Sequence, residues 1–180
     1  QSAREHVRPG RAYVVLGDDP LRVLARGALV DQAVPDARLP ELVAEDAVLV
    51  PESPYGQTKV IGEWMTANAA VNRDLSWISL RYFNVAGAAS PDLGDTSVAN
   101  LIPMVLRALS NGQRPQVFGD DYPTPDGSCI RDYIHVGDLA DAHVVAAARC
   151  EGETIGTAYN VGRGQGVSVF EVMDMVSEVI

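Results

Sequence analysis

The chain has 180 residues, of which 47% are hydrophobic and 21% are charged, a composition typical of a globular domain with one sizeable core. The formal net charge of −10 would repel a phosphate backbone, so nucleic acid is excluded as an expected partner. The sequence has no apolar run near 20 residues and no secretory signal, so we expect no membrane association and a cytoplasmic location.

Residues 1–50 have a weaker pattern than the rest of the chain. They are rich in Arg, Ala, Val and Pro, and only residues 12–16 and 48–50 predict strands. The three glycines of this segment are too far apart for the G-x-G-x-x-G turn that holds a dinucleotide pyrophosphate. We therefore expect residues 1–50 to be a divergent or non-native segment and residues 51–180 to carry the function.

A helix is predicted directly after this segment. Ser53 is a suitable N-cap and Pro54 a suitable first residue. Apolar residues then recur at helical spacing, which predicts one buried face. The apolar positions are Val60, Ile61, Trp64 and Met65. Residues 75–83 follow as a buried strand.

The remainder of the chain alternates between helices and strands. A helix is predicted from about Pro103 until Asn111 and Gly112 end it, and a strand is predicted at residues 116–118. Further strands are predicted at 129–134 and 157–161, with a helix at 138–149 between them. Ser168 and Glu171 form a capping-box pattern that opens a last helix. Such alternation predicts an α/β fold.

Tyr55 and Lys59 are four residues apart on the first predicted helix and so project from one face. A free phenol has a pKa of roughly 10 and is a poor base at neutral pH unless a cation favours the phenolate. An ammonium one turn away, together with the positive end of the helix, has that influence. The pair therefore predicts acid–base chemistry, although two surface residues can also reach this spacing by chance.

Three stretches carry a family resemblance. They are RYFNVAG at 81–87, VFGDDYPTPDG at 117–127 and RDYIHV at 131–136. Together with the Tyr-Lys pair, they resemble the UDP-glucose 4-epimerase family, a branch of the extended short-chain dehydrogenases. The resemblance covers residues 51–180. It implies a partial Rossmann-like, doubly wound α/β fold that includes the substrate-binding portion of such an enzyme.

The resemblance also implies an NAD-dependent reaction. Tyr55 matches the base that removes the proton of the sugar 4-hydroxyl, and Lys59 matches the residue that binds the nicotinamide ribose and lowers the tyrosine pKa. NAD would accept hydride from C4, and the 4-keto sugar would turn over and take it back on the other face. Tyr82 and Phe83 match the segment that lines the nicotinamide.

The substrate-binding residues are likewise implied by position. Asn84 matches a contact to the nucleotide-sugar, and Arg131 matches an arginine that grips the diphosphate. Independently, a guanidinium presents a planar fork to phosphate, although Arg131 and Asp132 could equally form an ion pair. Tyr133 could line the sugar pocket or simply pack in its strand. The positions matching the family's uracil and diphosphate contacts are Asn100, Leu101, Val117 and Phe118.

Three family features have no counterpart in this sequence. They are the N-terminal NAD-binding units with their glycine loop, a Ser or Thr about 25 residues before the tyrosine, and the family's C-terminal portion. We therefore expect an incomplete form of a UDP-glucose 4-epimerase that would be a homodimer if complete, with a UDP-sugar as substrate and a place in galactose metabolism. The alternatives are another nucleotide-sugar dehydratase or epimerase, a non-catalytic nucleotide-sugar-binding remnant, and a purely structural domain.

No metal site is expected. Cys129 and Cys150 lack metal-ligand spacing and predict reduced thiols in or near the core. His135 and His143 lack carboxylate or cysteine partners at ligand spacing, so helix capping or packing is the favoured interpretation of both.

Overall fold

The computed structural model describes residues 43–51, 53–95, 97, 100–152 and 154–179, together with the backbone of Tyr13–Asp18. The chain divides into two compact units. The first contains Gln1–Tyr82 and Ala140–Val161, and the second contains Phe83–Leu139 and Gly162–Ile180. The expected division at residue 50 stays a prediction.

The described strands and helices alternate along the chain, as the sequence predicts for an α/β fold, but the short strands at residues 84–86 and 166–168 were not predicted. The strands are β1 (Tyr13–Asp18), β2 (Trp77–Tyr82), β3 (Asn84–Ala86), β4 (Ile130–His135), β5 (Gly156–Val161) and β6 (Gly166–Ser168). The helices are α1 (Pro54–Arg73), α2 (Leu101–Ser110), α3 (Val136–Gly152) and α4 (Val169–Val179).

The first unit is built on a parallel sheet with the strand order β1-β2-β5. Every residue of β2 pairs with β1 on one side and β5 on the other, so β2 is the central described strand. Its residues Ile78 and Leu80 form a core cluster with Ala146 and Cys150 of α3. A parallel sheet buried by helices is the arrangement expected of a doubly wound fold.

Helix α1 begins and ends where the sequence predicts. The Ser53 side chain accepts a hydrogen bond of 3.0 Å from the Gly56 N–H, and Pro54 is the first helical residue. These two features satisfy a free N–H and pre-set the first turn, as is usual for an N-cap. The helix ends at Asp74, whose left-handed conformation (φ 53°) turns the chain toward β2.

The predicted burial of the α1 apolar stripe is only partly right. Val60 is buried, whereas Ile61 is half exposed and Trp64 and Met65 are 60% and 67% exposed. Periodicity identifies an apolar face but does not say what covers it. Ile61, Trp64 and Met65 thus form an exposed stripe of α1.

The second unit contains two smaller strand pairings. Strand β3 pairs parallel with β4, and β4 pairs antiparallel with β6. Helix α4 follows β6 directly and contacts α2. The capping box is confirmed, because the Ser168 hydroxyl accepts from the Glu171 N–H at 3.1 Å and the Glu171 carboxylate accepts from the Ser168 N–H at 2.7 Å.

Two predicted strands are wrong. Residues 48–50 and 116–118 have no regular secondary structure. Both segments are short and apolar, but a strand also needs a hydrogen-bonded neighbour, and no described strand pairs with either of them. The predicted strand at 12–16 is confirmed by β1, which has β2 as its partner.

Within the described ranges, no helix is both long enough and apolar enough to cross a bilayer. The same part of the chain contains no group of three or more His, Cys, Asp or Glu side chains that could hold a metal ion. His135 caps a helix, since its Nδ1 accepts from the Gly137 N–H at 3.1 Å, and the His143 ring packs against Tyr82.

Candidate functional site

The first turn of α1 brings Tyr55 and Lys59 together. The Lys59 Nζ atom lies over the Tyr55 ring, 4.9 Å from its centroid. Tyr55 is 50% exposed, while Lys59 is half-buried. A cation over an aromatic face is attracted to the ring electrons and holds the two side chains in one orientation. The phenol therefore stands at an accessible helix end beside a fixed positive charge.

The next turn of the same face holds α1 against the sheet. Glu63 follows Lys59 by four residues, and its carboxylate accepts two hydrogen bonds from the Arg81 guanidinium, at 2.9 and 2.5 Å. It also accepts a bond of 2.9 Å from the Ser79 hydroxyl. Arg81 and Ser79 are both buried on β2. This bidentate pair fixes the rotation of α1 and thereby the direction in which Tyr55 and Lys59 point.

Arg81 also holds the segment that precedes α1. Its second terminal nitrogen donates to the Glu45 carbonyl at 2.8 Å. The Glu45 carboxylate in turn accepts from the Asn160 N–H, and the Asn160 side chain donates to the Val43 carbonyl. The Asn160 N–H bond is the main reason that the pKa of Glu45 lies below its ordinary value. Because Arg81 and Asn160 are register partners on β2 and β5, these bonds fasten residues 43–45 across both strands.

Tyr82 and Phe83 mark the end of β2. Tyr82 is the last residue of that strand, and its ring lies 6.3 Å from the ring of His143, centroid to centroid. Phe83 begins the second unit, where a Cβ atom placed on Gly162 would lie 2.6 Å from the Phe83 ring. The tight fit explains why glycine occupies position 162.

The second unit contains a surface cavity of about 710 Å³. It brings together three residues that the resemblance assigns to nucleotide contacts, namely Leu101, Val117 and Phe118. Leu101 opens α2, and the other two belong to the irregular segment after that helix. An apolar cleft with a few polar groups at its edge is the usual form of a small-molecule site.

The cavity also has lining residues that the sequence did not point to. Gln113, Arg114 and Gln116 contribute polar side chains, while Cys129 and Val169 contribute apolar surface. Arg114 is exposed and makes no ion pair among the described residues. No motif marks these positions, since Cys129 and Val169 are 40 residues apart and meet through the pairing of β4 and β6.

Arg131 is not paired with Asp132. The Arg131 guanidinium donates to the carbonyl of Ile130 at 2.8 Å and makes no ion pair in the part of the chain that the structure describes. The Asp132 carboxylate instead accepts from the N–H groups of Arg163 and Gly164, at 2.9 and 2.8 Å. The ion-pair interpretation of Arg131 is therefore wrong. Its positive charge remains without a carboxylate partner among these residues.

The other candidate substrate residues lie in the same unit. Asn84 pairs in register with Tyr133 across β3 and β4, and its amide donates to the Asp132 carbonyl at 3.4 Å. Asn100 is the N-cap residue of α2, and its amide donates to the Asp95 carboxylate at 3.0 Å. Hydrogen bonds from Asn100 and Ser97 lower the pKa of that carboxylate.

The residues thus form two groups. In the first unit, Tyr55, Lys59 and Tyr82 supply an accessible phenol, a nearby ammonium and an aromatic at the carboxyl end of a parallel strand. In the second unit, the cavity supplies an apolar cleft, and Arg131, which does not line it, supplies a positive charge without an ion-pair partner among the described residues. The first group suits proton transfer, and the second suits an anionic ligand with a flat apolar part.

Known proteins match most of the chain. Residues 32–162 match the family described as NAD dependent epimerase/dehydratase. The chain is 47% identical over 142 residues to the UDP-glucose 4-epimerase of Azospirillum brasilense. This match covers 76% of this chain and 40% of that protein. It is 42% identical over 141 residues to the UDP-glucose 4-epimerase of Halalkalibacterium halodurans, and this match covers 76% of this chain and 42% of that protein. The chain spans about two fifths of the length of these relatives.

Solved structures give the same result. The UDP-glucose 4-epimerase of Brucella ovis in complex with NAD matches with a TM-score of 0.74 at 36% identity, covering 94% of this chain and 49% of that one. The UDP-glucose-4-epimerase of Stenotrophomonas maltophila with bound NAD and formylated UDP-arabinopyranose matches with a TM-score of 0.68 at 36% identity, covering 91% and 46%. These matches confirm the predicted α/β fold and the resemblance carried by the three motifs. The chain belongs to the NAD dependent epimerase/dehydratase family.

Proposed function

We propose that the chain carries the acid–base pair and the nucleotide-sugar-binding face of a UDP-glucose 4-epimerase. The observation that carries the proposal is the Lys59 ammonium over the exposed Tyr55 ring at the start of α1. Inversion at C4 of the sugar requires a group that takes a proton from the 4-hydroxyl and later returns it. Tyr55 would take that role, since its phenol is half exposed beside the Lys59 ammonium, and the curated relatives named above are UDP-glucose 4-epimerases.

The proposed cofactor is NAD, which is present in the Brucella ovis and Stenotrophomonas maltophila structures. Helix α1 precedes β2 and packs on the parallel sheet, so its first turn lies toward the carboxyl ends of the strands, where such folds bind nucleotides. Tyr55, Lys59 and Tyr82 would therefore hold the nicotinamide side, and the family resemblance assigns Phe83 to the same role. Bound NAD supplies reversible hydride acceptance. The sequence has no G-x-G-x-x-G turn for the pyrophosphate, so the fit concerns the nicotinamide side alone.

The proposed substrate is a UDP-hexose, with UDP-glucose and UDP-galactose as the interconverted pair in galactose metabolism. Leu101, Val117 and Phe118 would pack on the uracil, since they line one apolar cavity. Arg131 would bind the diphosphate, since its guanidinium lacks a carboxylate partner among the described residues. Asn84, Asn100 and Tyr133 would complete the site. A cytoplasmic location accords with the two free cysteines.

Calorimetric titration with UDP, and separately with NAD, tests the proposal. We expect UDP to bind, and we expect Arg131→Ala to weaken it by about 10- to 100-fold because charge-assisted bonds to phosphate are lost. Arg131→Lys should give an intermediate loss, because an ammonium cannot bind phosphate through a planar fork. Arg107→Ala, which removes an exposed arginine in the last turn of α2, is the matched control and should leave the affinity unchanged.

The outcomes separate the candidate functions. A chain that does not bind UDP contradicts the proposal. A chain that binds UDP but not NAD would match the alternative of a nucleotide-sugar-binding protein without turnover. If both ligands bind, turnover of UDP-galactose by the wild-type chain and by Tyr55→Phe decides whether the chain is an enzyme.

We also propose that the chain forms a homodimer through the exposed stripe of α1. Ile61, Trp64 and Met65 lie on one helical face and expose about half or more of their surface, which is unusual for such large apolar side chains. Sedimentation equilibrium should show a dimer for the wild-type chain and a monomer for Trp64→Glu. Val144→Glu changes an exposed valine of α3 and should leave the dimer intact. A monomeric wild-type chain would rule out this interface.

A further inference from the structure

We propose that Asp126 is a positioning residue that sets the shape of the cavity in the second unit. The inference rests on the proposed function, because it concerns the same nucleotide site. Asp126 does not line the cavity. It acts through Ser128 and Ser168, each of which immediately precedes a lining residue. Those two lining residues, Cys129 and Val169, form the cavity floor.

A hydrogen bond joins the two residues of the cavity floor to each other. The Val169 N–H donates to the Cys129 carbonyl at 3.1 Å, so the two floor residues are joined directly. Ser128 and Ser168 lie behind them and are fully or almost fully buried, at 0% and 4% exposed. Ser168 is the last residue of β6 and pairs with Ile130 of β4, while Ser128 lies two residues before β4. A shift of either serine would therefore move the floor.

One carboxylate joins both serines. An Asp126 oxygen accepts from the N–H and the hydroxyl of Ser128, each at 2.8 Å. The other oxygen accepts a short hydrogen bond from the Ser168 hydroxyl. The Ser168 bond is the largest cause of the lowered pKa of Asp126, followed by the Ser128 N–H. A buried hydroxyl that loses its acceptor destabilises its position, so Asp126 is what holds the two serines at this spacing.

The loop that carries Asp126 runs between two residues that line the cavity. It leaves the cavity at Gly119 and returns to it at Cys129. It closes on itself, because the Tyr122 N–H donates to the Gly127 carbonyl at 2.9 Å. Gly127 has a φ of +77°, and a Cβ there would lie 2.3 Å from the Asp120 carbonyl oxygen. The compact loop leaves Asp126 little freedom, as a positioning residue requires.

A second carboxylate at the same place offers a matched control. The Glu171 carboxylate accepts from the Ser168 N–H and caps α4, but it does not contact Ser128. Loss of Glu171 weakens the start of α4 while the Asp126 bridge remains. A purely structural role predicts that Asp126 and Glu171 variants behave alike, whereas positioning of the floor predicts that only Asp126 variants alter the cavity.

The experiment compares UDP titration and alkylation of Cys129 by iodoacetamide in Asp126→Ala, Asp126→Asn and Glu171→Ala. We expect Asp126→Ala to weaken UDP binding by at least about 10-fold and to change the rate of Cys129 alkylation severalfold. Asp126→Asn keeps an acceptor for Ser128 and should be intermediate, and it serves as the test if the alanine variant does not fold. Glu171→Ala should lower Tm without changing either readout.

Two results would overturn the proposal. One is an Asp126→Asn chain with unchanged UDP affinity and an unchanged Cys129 rate. The other is a loss of UDP affinity in Glu171→Ala that equals the loss in Asp126→Ala when both variants lower Tm by the same amount. Alkylation of Cys150, which is 2% exposed, reports whether each variant remains folded. If the wild-type chain does not bind UDP, the proposed function fails, but the Cys129 rate still decides whether Asp126 positions the floor.

Discussion

Replacing Glu63 with alanine is expected to lower the free energy of unfolding by about 3–5 kcal/mol, because the Arg81 guanidinium would stay buried without a counter-ion. The side chains of Arg81 and Glu63 are only 7% and 12% exposed. Ser79 would lose its acceptor at the same time. Urea denaturation followed by far-ultraviolet circular dichroism measures the change.

Matched variants separate the burial of a lone charge from the loss of a contact. The double variant Glu63→Leu with Arg81→Met removes both charges, and we expect it to be clearly more stable than Glu63→Ala. Glu151→Ala, at an exposed position near the end of α3, should change stability by no more than about 0.5 kcal/mol. A Glu63→Ala chain as stable as the Glu151→Ala chain would show that the pair does not hold α1 on the sheet.

The same pair predicts a dependence on pH. Burial is the largest single influence on the pKa of Glu63 and raises it. The hydrogen bonds from Arg81 and Ser79, together with the Arg81 charge, outweigh burial, so the pKa in the folded protein lies below the ordinary value. The contribution of Glu63 is therefore complete above its unfolded pKa and is lost as the pH falls through the lower folded pKa. Because glutamine does not titrate, the Glu63→Gln chain should lack this part of the loss of stability at acidic pH.

Replacing Tyr55 with phenylalanine should reduce the interconversion of UDP-galactose and UDP-glucose by about 10²–10⁴-fold, the usual contribution of a general acid–base group. The ring and its contact with Lys59 remain, because the ammonium lies over the ring and not over the hydroxyl alone. Stability and UDP affinity should therefore stay at the wild-type values. A coupled assay of UDP-glucose formation, with the purified chain supplied with NAD, measures turnover.

Two further variants make this result specific. Lys59→Met should also lose turnover, since it removes the cation beside the phenol. Tyr159→Phe removes another hydroxyl of the same unit, one that accepts from Arg149 at 3.1 Å, and should leave turnover unchanged. Wild-type turnover in Tyr55→Phe would contradict the assignment of the base. So would a wild-type chain that binds both UDP and NAD and yet has no turnover.

Local features were predicted well from the sequence because their causes are local. Ser53 caps α1 and Ser168 forms the capping box of α4, as the residue types and spacing indicate. The strand predicted at residues 116–118 was wrong, because this short segment has no described strand beside it to pair with. The expected burial of Trp64 and Met65 was also wrong, although their helical spacing was right.

The sequence by itself determined the four helices, four of the six described strands, the α/β class and the family motifs around Tyr55, Asn84 and Arg131, because propensity, capping and spacing act over a few residues. Only the tertiary structure decided which distant residues meet. It separated Arg131 from Asp132, joined Glu63 to Arg81, and placed Cys129 beside Val169. Such contacts depend on strand pairing and packing between segments far apart in the chain, which no local pattern specifies.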